Sequence, residues 1–194
     1  MGISRSKLNV YLFILIYNLD MSWKLINSKK IYKDKFMTLE VDDILTELGD
    51  KVVYSIVRKK PCALIIPWDG KNFLLEKLYR FAISEYSWEF PCGHFQGESV
   101  EQTARNELEE ETGYKAGSLK KIGVFHPANG FLDQECHVFL AANLTKGKMN
   151  RETSEKGMKV VKVTSEKLEK MIKGGEIRDA LTLSGYLLFK ESGF

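Results

Sequence analysis

Cysteine is scarce in this sequence, and its spacing excludes two common structural roles. The 194 residues contain three cysteines, Cys62, Cys92 and Cys136, an odd number without a C-x-x-C pair. A disulfide framework needs paired cysteines, and a zinc knuckle needs closely spaced ones. We therefore expect a protein of the reducing cytoplasm, in which each cysteine packs as a small buried hydrophobic residue.

The sequence also lacks a hydrophobic segment long enough to span a bilayer. Its N-terminal apolar run is confined to residues 10–19, whereas a membrane-spanning helix needs about 20 residues. No small-x-small cleavage site follows the run, as a signal peptide would require. Because Met21-Ser22-Trp23 resembles the start of a soluble protein, we interpret residues 1–20 as an upstream extension, with a peripheral anchor or an extra strand as alternatives. No stable membrane insertion is expected.

The charge balance gives no indication of a polyanionic partner. Lysine and arginine number 29 against 26 acidic residues, which leaves a net charge of +3. A protein that binds nucleic acid through electrostatics carries a larger and more clustered basic excess. Hydrophobic residues make up 44% of the chain, enough for a substantial core. We expect one compact domain, or a domain with a small appendage, and no nucleic-acid partner.

A helix dense in carboxylates is predicted within residues 93–114, which read GHFQGESVEQTARNELEEETGY. Glu98 and Ser99 supply the chemistry of a helix start. Gly113 can take the left-handed conformation that ends a helix. At about 100° per residue, three glutamates share one face of this helix: Glu107, Glu110 and Glu111.

These three glutamates repel one another, so their arrangement costs the isolated helix stability. Glu109 would point toward solvent instead, and Ala104 and Leu108 would form the buried stripe. Mg²⁺ prefers a few carboxylates and retains waters for a phosphate ligand, so it would offset the repulsion. A solvated acidic face without a ligand is the alternative.

The same segment resembles the Nudix box, whose pattern is Gly, five residues, Glu, seven residues, Arg-Glu-apolar, one residue, Glu-Glu, one residue and Gly-apolar. Glu98 takes the position of the first glutamate, and residues 107–114 follow the rest of the pattern. Asn106 stands in place of the arginine, and four residues rather than five separate Gly93 from Glu98. Asparagine cannot make the bidentate contact by which arginine fixes carboxylates. The sequence thus predicts a Nudix fold whose metal site is weaker or differently arranged.

The resemblance implies a Mg²⁺ site, at which Mn²⁺ can substitute, and a set of residues that form it: Gly93, Glu98, Glu107, Glu110 and Glu111. It also implies a catalytic carboxylate in the polar loop 146–156, where Glu155 is the nearest candidate and Glu152 the second. Glu110, Glu111 and Glu155 are therefore the candidate catalytic residues. Of these, Glu110 or Glu155 would accept a proton from the attacking water.

Flanking segments resemble the Nudix subfamily that cleaves ADP-ribose. Leu78-Tyr79-Arg80 is similar to its QYR segment, and residues 88–93 are similar to its WELPAG segment. The resemblance implies that Arg80 contacts a substrate phosphate or a loop carboxylate, and that Glu89 lies beside the metal. In the loop 127–135, Phe131 and Glu135 are candidates for substrate binding. A surface ion pair for Arg80 and local packing for Phe131 are the alternatives.

Three strand-like segments precede the catalytic fold, at residues 25–32, 36–48 and 52–58, with Gly49-Asp50 as a hairpin signal. In the ADP-ribose-cleaving subfamily such a sheet exchanges between two subunits, so the resemblance implies a homodimer. We therefore assign residues 21–59 to a dimerisation subdomain and residues 60–194 to a Nudix hydrolase domain.

The expected fold class is α+β, a Nudix α/β/α sandwich with a mixed sheet, preceded by a small N-terminal antiparallel β-sheet. The expected reaction is Mg²⁺-dependent hydrolysis of the diphosphate bond of ADP-ribose or a related nucleoside diphosphate sugar, giving a nucleoside monophosphate and a sugar phosphate. A Nudix hydrolase of another nucleotide substrate is one alternative. A catalytically weak nucleotide-binding module is the other, which Asn106 favours.

Overall fold

The computed structural model describes residues 23–95, 97 and 99–193. The interpretation of residues 1–20 and the candidate ligand Glu98 fall outside the described residues. The chain divides into two compact units, the first ending at Arg58 and the second beginning at Lys59. In the described part of the chain, no helix has the length and apolar character needed to cross a membrane.

The first unit is a three-stranded antiparallel sheet. Its strands are β1 (Lys24–Lys33), β2 (Thr38–Leu45) and β3 (Lys51–Arg58), in the order β1-β2-β3. Gly49 takes a φ of 87° in the β2–β3 turn, a conformation that glycine adopts without strain. The prediction of an N-terminal antiparallel sheet is therefore confirmed.

One carboxylate is buried in this first sheet, and it is fully partnered. Asp42 on β2 is 2% exposed. It accepts hydrogen bonds from Ser28 Oγ at 2.5 Å and from Arg58 Nη2 at 3.2 Å. A buried charge needs such partners, because it has lost the hydrogen bonds that water would make.

The second unit contains a four-stranded sheet in the order β7-β4-β9-β8 and a three-stranded sheet in the order β10-β5-β6. β4 and β9 are parallel and the other neighbours are antiparallel, so the larger sheet is mixed. The strands are β4 (Cys62–Pro67), β5 (Asn72–Arg80), β6 (Glu85–Glu89), β7 (Cys92–His94), β8 (Tyr114–Phe125), β9 (Cys136–Lys146) and β10 (Lys159–Thr164). The helices are α1 (Val100–Thr112), α2 (Ser165–Lys173) and α3 (Ala180–Glu191).

Helices cover both faces of the mixed sheet. Successive side chains of β4 point to opposite faces, so the strand contacts a helix on each side. Ala63 and Ile65 pack with Ala104 and Leu108 of α1. On the opposite face, β4 meets α3 so closely that a Cβ at Gly185 would lie 2.5 Å from Leu64 Cδ2. This helix–sheet–helix layering confirms the predicted α/β/α sandwich.

The core on the α3 side is centred on Phe73 of β5, which is 0% exposed. Its ring centroid lies 4.5 Å from that of Trp68 and 4.9 Å from that of Phe189. The rings of Phe90 and Tyr186 meet it edge-on at 5.9 and 5.7 Å. Edge-to-face contacts at these separations add stability beyond the area they bury.

The closing helix begins later than the sequence pattern predicts. The sequence indicates a closing helix from Ile177 to Glu191, but α3 begins at Ala180. Asp179 is the N-cap and accepts a hydrogen bond from the Thr182 N–H at 2.7 Å. An N-cap carboxylate satisfies a helix N–H that has no intrahelical partner, so Asp179 determines where the helix starts.

Candidate active site

Helix α1 forms over Val100–Thr112 as the sequence predicts. Ser99 is its N-cap, with Oγ accepting from the Gln102 N–H at 3.0 Å. Gly113 ends it at a φ of 74°. The fully buried Ala104 and Leu108 hold one face against the sheet. This packing orients the glutamate face of the helix toward β7.

Glu107 lies directly over the backbone of β7, and only a glycine permits this. A Cβ built on Gly93 would come within 2.0 Å of Glu107 Cδ. Burial is the main cause that raises the pKa of Glu107 to about 7, followed by the charges of Glu110, Glu155 and Glu152. Two predicted ligand positions, Gly93 and Glu107, are thus in contact.

Glu111 is the most buried carboxylate of the helix, at 6% exposure. Its Oε2 accepts a hydrogen bond from the Cys92 N–H at 3.2 Å. Burial raises the pKa of Glu111 to about 10, and the charges of Glu76, Glu107 and Glu155 add to this rise. The backbone amide of Cys92 therefore joins β7 to α1, one residue before Gly93.

The loop after β9 brings Glu155 to the same place. Glu155 ends a 3₁₀ turn, and its carboxylate accepts a hydrogen bond from the Glu152 N–H at 3.1 Å. The charge of Glu155 raises the pKa of both Glu107 and Glu111. The loop glutamate and the helix glutamates therefore converge, although they are separated in sequence.

Four hydrogen bonds attach this loop to the C-terminal end of α1. The Gly147 N–H donates to Gly113 O at 2.8 Å, and the Asn150 N–H donates to Glu110 O at 3.0 Å. Arg151 Nε donates to Glu111 O at 2.8 Å, and the Lys148 N–H donates to Glu109 Oε1 at 3.0 Å. The last carbonyls of a helix lack intrahelical donors, and here the loop supplies them. We call the four donor residues of the loop the loop attachment: Gly147, Lys148, Asn150 and Arg151.

Glu109 points away from the other three glutamates and stays partly exposed, as the helix periodicity predicts. Its carboxylate also bonds the loop and pairs with Lys115 Nζ at 3.3 Å, which the sequence does not predict. Asn106 is exposed, and its Oδ1 accepts from Gln102 Nε2 at 2.8 Å. Since it contacts its own helix, it does not orient the glutamates. Glu110 is half-buried and lies close enough to raise the pKa of Glu107.

Arg80 and Glu89 form a bidentate pair on the neighbouring strands β5 and β6. Arg80 Nε lies 2.9 Å from Glu89 Oε1, and Nη2 lies 2.5 Å from Oε2. The bond to Glu89 raises the pKa of Arg80, with smaller contributions from Glu111 and Asp179. Arg80, Glu89 and Asp179 all line a cavity of about 580 Å³. The predicted substrate residues Arg80 and Glu89 thus lie together, near Glu111.

Phe131 and Glu135 make local contacts. Phe131 is 56% exposed in a turn closed by its N–H donating to Ala128 O at 3.1 Å. Glu135 pairs with His137 Nε2 at 3.1 Å. The role of both residues in substrate binding stays a prediction.

Sequence reasoning missed three residues of this region, for one shared reason. Glu76, Arg151 and Asp179 each become neighbours of the glutamates only through tertiary contacts. Glu76 alone has a local signal in the sequence, since it directly follows the three apolar residues 73–75. A charge in such a position needs a compensating partner.

A glutamate-rich helix packs on the mixed sheet of an α/β/α sandwich, and comparison with known proteins identifies the family. The NUDIX domain model matches residues 58–180, so the chain belongs to the Nudix hydrolase family. The ADP-ribose pyrophosphatase of Bacillus subtilis (strain 168) is 34% identical over 174 residues, 87% of this chain and 94% of the relative. The methanol dehydrogenase activator of Bacillus methanolicus is 28% identical over 174 residues, with the same 87% and 94% coverage. A crystal structure of an ADP compounds hydrolase has the same fold, with a TM-score of 0.78 at 20% identity over 88% of this chain and 93% of that one.

Nudix hydrolases generally use divalent metal ions, and the residues present fit such an ion chemically. Glu107, Glu111 and Glu155 supply oxygen ligands, which hard cations prefer. Burial and mutual repulsion raise the pKa values of Glu107 and Glu111, and a cation would relieve both effects. Within residues 23–95, 97 and 99–193, no three carboxylate, imidazole or thiol groups are already arranged around one point as a complete site.

Replacing Gly93 with alanine is expected to weaken cation binding without unfolding the protein. The new methyl group would occupy the position of the Glu107 carboxylate. Because a glutamate side chain can turn aside, we expect a stability loss within about 1 kcal/mol. Mn²⁺ binding measured by calorimetry should weaken at least about tenfold. Gly130→Ala is the control, since a Cβ there meets nothing within 4 Å. Unchanged Mn²⁺ affinity in Gly93→Ala would contradict the placement of Glu107 at the site.

Proposed function

We propose that the protein hydrolyses the diphosphate bond of ADP-ribose or a related nucleoside diphosphate sugar, with Mg²⁺ as its cation and Mn²⁺ as a substitute. The convergence of Glu107, Glu111 and Glu155 near the Arg80–Glu89 pair carries this proposal. Carboxylate-held cations and arginine both bind diphosphate oxygens. The similarity to an ADP-ribose pyrophosphatase supports the substrate class.

The protein's task in this reaction is to position a charged substrate and neutralise its charge. Mg²⁺ held by Glu107 and Glu111, with Glu110 and the backbone near Gly93 assisting, would supply Lewis-acid stabilisation of the diphosphate. Arg80 is fixed in orientation by its two bonds to Glu89 and lines the adjacent cavity. There its guanidinium would meet a phosphate oxygen, as bidentate arginines commonly do.

A carboxylate must accept the proton of the attacking water, and Glu155 is the better of the two candidates. It comes from the loop after β9 rather than from α1, and its charge acts on both Glu107 and Glu111. The bond from the Glu152 N–H fixes the orientation of its carboxylate. Glu110 is the second candidate, because it is half-buried on the same helix face as Glu107.

Hydrolysis by the full-length protein tests the proposal directly. ADP-ribose, GDP-mannose, UDP-glucose, NADH and diadenosine polyphosphates would be offered with Mg²⁺ or Mn²⁺, and phosphate would be released from the products by a coupled phosphatase. We expect turnover of ADP-ribose or another nucleoside diphosphate sugar. If no compound is hydrolysed while ADP-ribose raises the melting temperature, the protein is a nucleotide-binding module, the alternative that Asn106 favours.

Introducing arginine at position 106 is expected to strengthen the metal site. Asn106 accepts a hydrogen bond from Gln102 of its own helix, whereas a longer guanidinium can form bidentate bonds with a carboxylate. We expect Asn106→Arg to raise Mn²⁺ affinity and turnover severalfold. Asn106→Gln, which remains neutral, is the matched control. The prediction fails if Asn106→Arg leaves metal affinity and turnover unchanged.

We also propose that the protein is a homodimer formed through its first sheet. Large apolar side chains on and beside β1 are about half exposed: Trp23 at 49%, Leu25 at 60%, Ile26 at 53% and Ile31 at 51%. A patch of this kind commonly marks a protein interface. Light scattering after gel filtration should give twice the mass of 22.2 kDa. Ile26→Lys should shift the protein toward the monomer, and a wild-type monomer would contradict the proposal.

A further inference from the structure

Glu76 is a buried carboxylate that lacks the partners such a group needs. It lies in the middle of β5 and is 2% exposed. Among the described residues, its Oε1 has no hydrogen-bond partner, the only such buried side-chain atom found there. Asp42 in the first unit is equally buried but is held by a serine and an arginine. The environment of Glu76 therefore leaves part of its bonding capacity unused.

The strand itself does not require a carboxylate at this position. Strand alternation places Glu76 on the same face as Leu74 and Leu78, which are 1% and 6% exposed. Leucine would fill this position without a desolvation cost, whereas burial of an unbonded carboxylate is unfavourable. Such a group in a folded protein calls for an explanation such as an absent ion.

Two arginines, Arg151 and Arg80, and three glutamates surround Glu76, and among the described residues neither arginine is bonded to it. In the strand register Glu76 lies opposite Glu89 of β6. Glu155 also acts on it, and Glu76 in turn acts on Glu111. Arg80 is engaged by Glu89, and Arg151 donates to the backbone carbonyls of Glu111 and Met158. Both guanidinium groups are thus committed elsewhere, and Glu76 has no cation bonded to it among the described residues.

We propose that Glu76 is a further ligand for a divalent cation, shared with Glu111 on the strand side of the active site. The proposal rests on the metal dependence in the proposed function, but it concerns a different position from that beside Glu107 and Gly93. Mg²⁺ and Mn²⁺ need only one or two protein carboxylates, because waters and substrate complete their coordination. The unbonded Oε1 of Glu76 and the buried Glu111 supply such a pair. Burial raises the pKa of Glu76 to about 8 without a cation, and the bound ion would keep it ionised.

Mn²⁺ binding by the full-length protein in the absence of substrate tests this assignment. Electron paramagnetic resonance counts bound ions, and calorimetry gives their affinities. We expect Glu76→Gln to bind one ion fewer than the wild type, or to bind one ion at least about tenfold more weakly. Glu101→Gln on the exposed start of α1 is the matched control and should bind as the wild type does. Equal titration of Glu76→Gln and the wild type would overturn the proposal.

Thermal stability separates a ligand from a structural carboxyl. In EDTA, Glu76→Gln should melt at or above the temperature of the wild type, because the variant buries no potential charge. Saturating Mn²⁺ should raise its melting temperature less than that of the wild type. Glu76→Leu should behave in the same way, and it replaces the first variant should the amide misfold. A Mn²⁺-induced rise as large as that of the wild type in both variants would refute the ligand role.

The outcomes for Glu76 and for the proposed function remain distinct. A wild-type protein that binds no Mn²⁺ overturns both. If the wild type binds Mn²⁺ and Glu76→Gln binds it equally, only the role of Glu76 fails. If the metal difference is found while no diphosphate substrate is hydrolysed, the role of Glu76 stands and the proposed activity falls.

Discussion

Glu111→Gln is expected to reduce turnover by about 10²–10³-fold, the loss typical of removing one preorganised electrostatic group. The glutamine keeps the shape of the side chain and can still accept from the Cys92 N–H, but it loses the charge that would hold a cation. Because Glu111 is buried and repelled by its neighbours, the neutral amide should not destabilise the metal-free protein. Steady-state hydrolysis at saturating Mg²⁺ is the measurement.

Glu101→Gln provides the control for Glu111→Gln on the same helix. Glu101 is exposed and pairs with Arg105 at 3.1 Å, four residues along. Such an exposed pair contributes under about 1 kcal/mol, so activity should stay close to that of the wild type. Full activity of Glu111→Gln would show that the carboxylates of α1 do not form the active site.

Phe73→Ala is expected to cost about 3–5 kcal/mol of unfolding free energy, the range for truncating a buried aromatic residue. Phe73 is 0% exposed and contacts four aromatic rings from β4, β6 and α3 and their flanks. Its removal leaves a cavity between the two sheets and α3. Urea unfolding, followed by the fluorescence of the adjacent Trp68, measures the loss.

Phe131→Ala is the matched truncation for Phe73→Ala. Its ring is 56% exposed, so stability should change by less than about 0.5 kcal/mol. The same variant reports on substrate binding, because a role for Phe131 would raise KM at unchanged stability. A similar loss of stability in both variants would contradict the assignment of the core to Phe73.

Local chemistry explains which parts of the structure the sequence predicts. Helix α1 is bounded by Ser99 and Gly113, whose capping effects act within a few residues, and its buried stripe follows from periodicity alone. The antiparallel first sheet is likewise evident from the partial alternation of apolar and polar residues and from the hairpin signal at Gly49-Asp50. For these elements, interactions between residues close in sequence determine the structure.

The site depends on contacts between distant segments, so the sequence predicts it only in part. Helix periodicity gives the direction of Glu109, but it cannot show that a loop 39 residues later bonds its carboxylate. Glu76 on β5 acts on Glu111 of α1 through its charge, and Asp179 at the start of α3 acts on Arg80 in the same way. The resemblance to the Nudix box locates Glu107 and Glu111, but it contains no position for Glu76.

The loop attachment limits how the chain length between β9 and β10 can vary. Its four residues donate hydrogen bonds to carbonyl or carboxylate oxygens at the end of α1. These bonds fix the path of the chain from Gly147 to Arg151. An insertion there would shift Glu155 out of register with the helix glutamates. Active relatives should therefore conserve the loop length between Gly147 and Glu155.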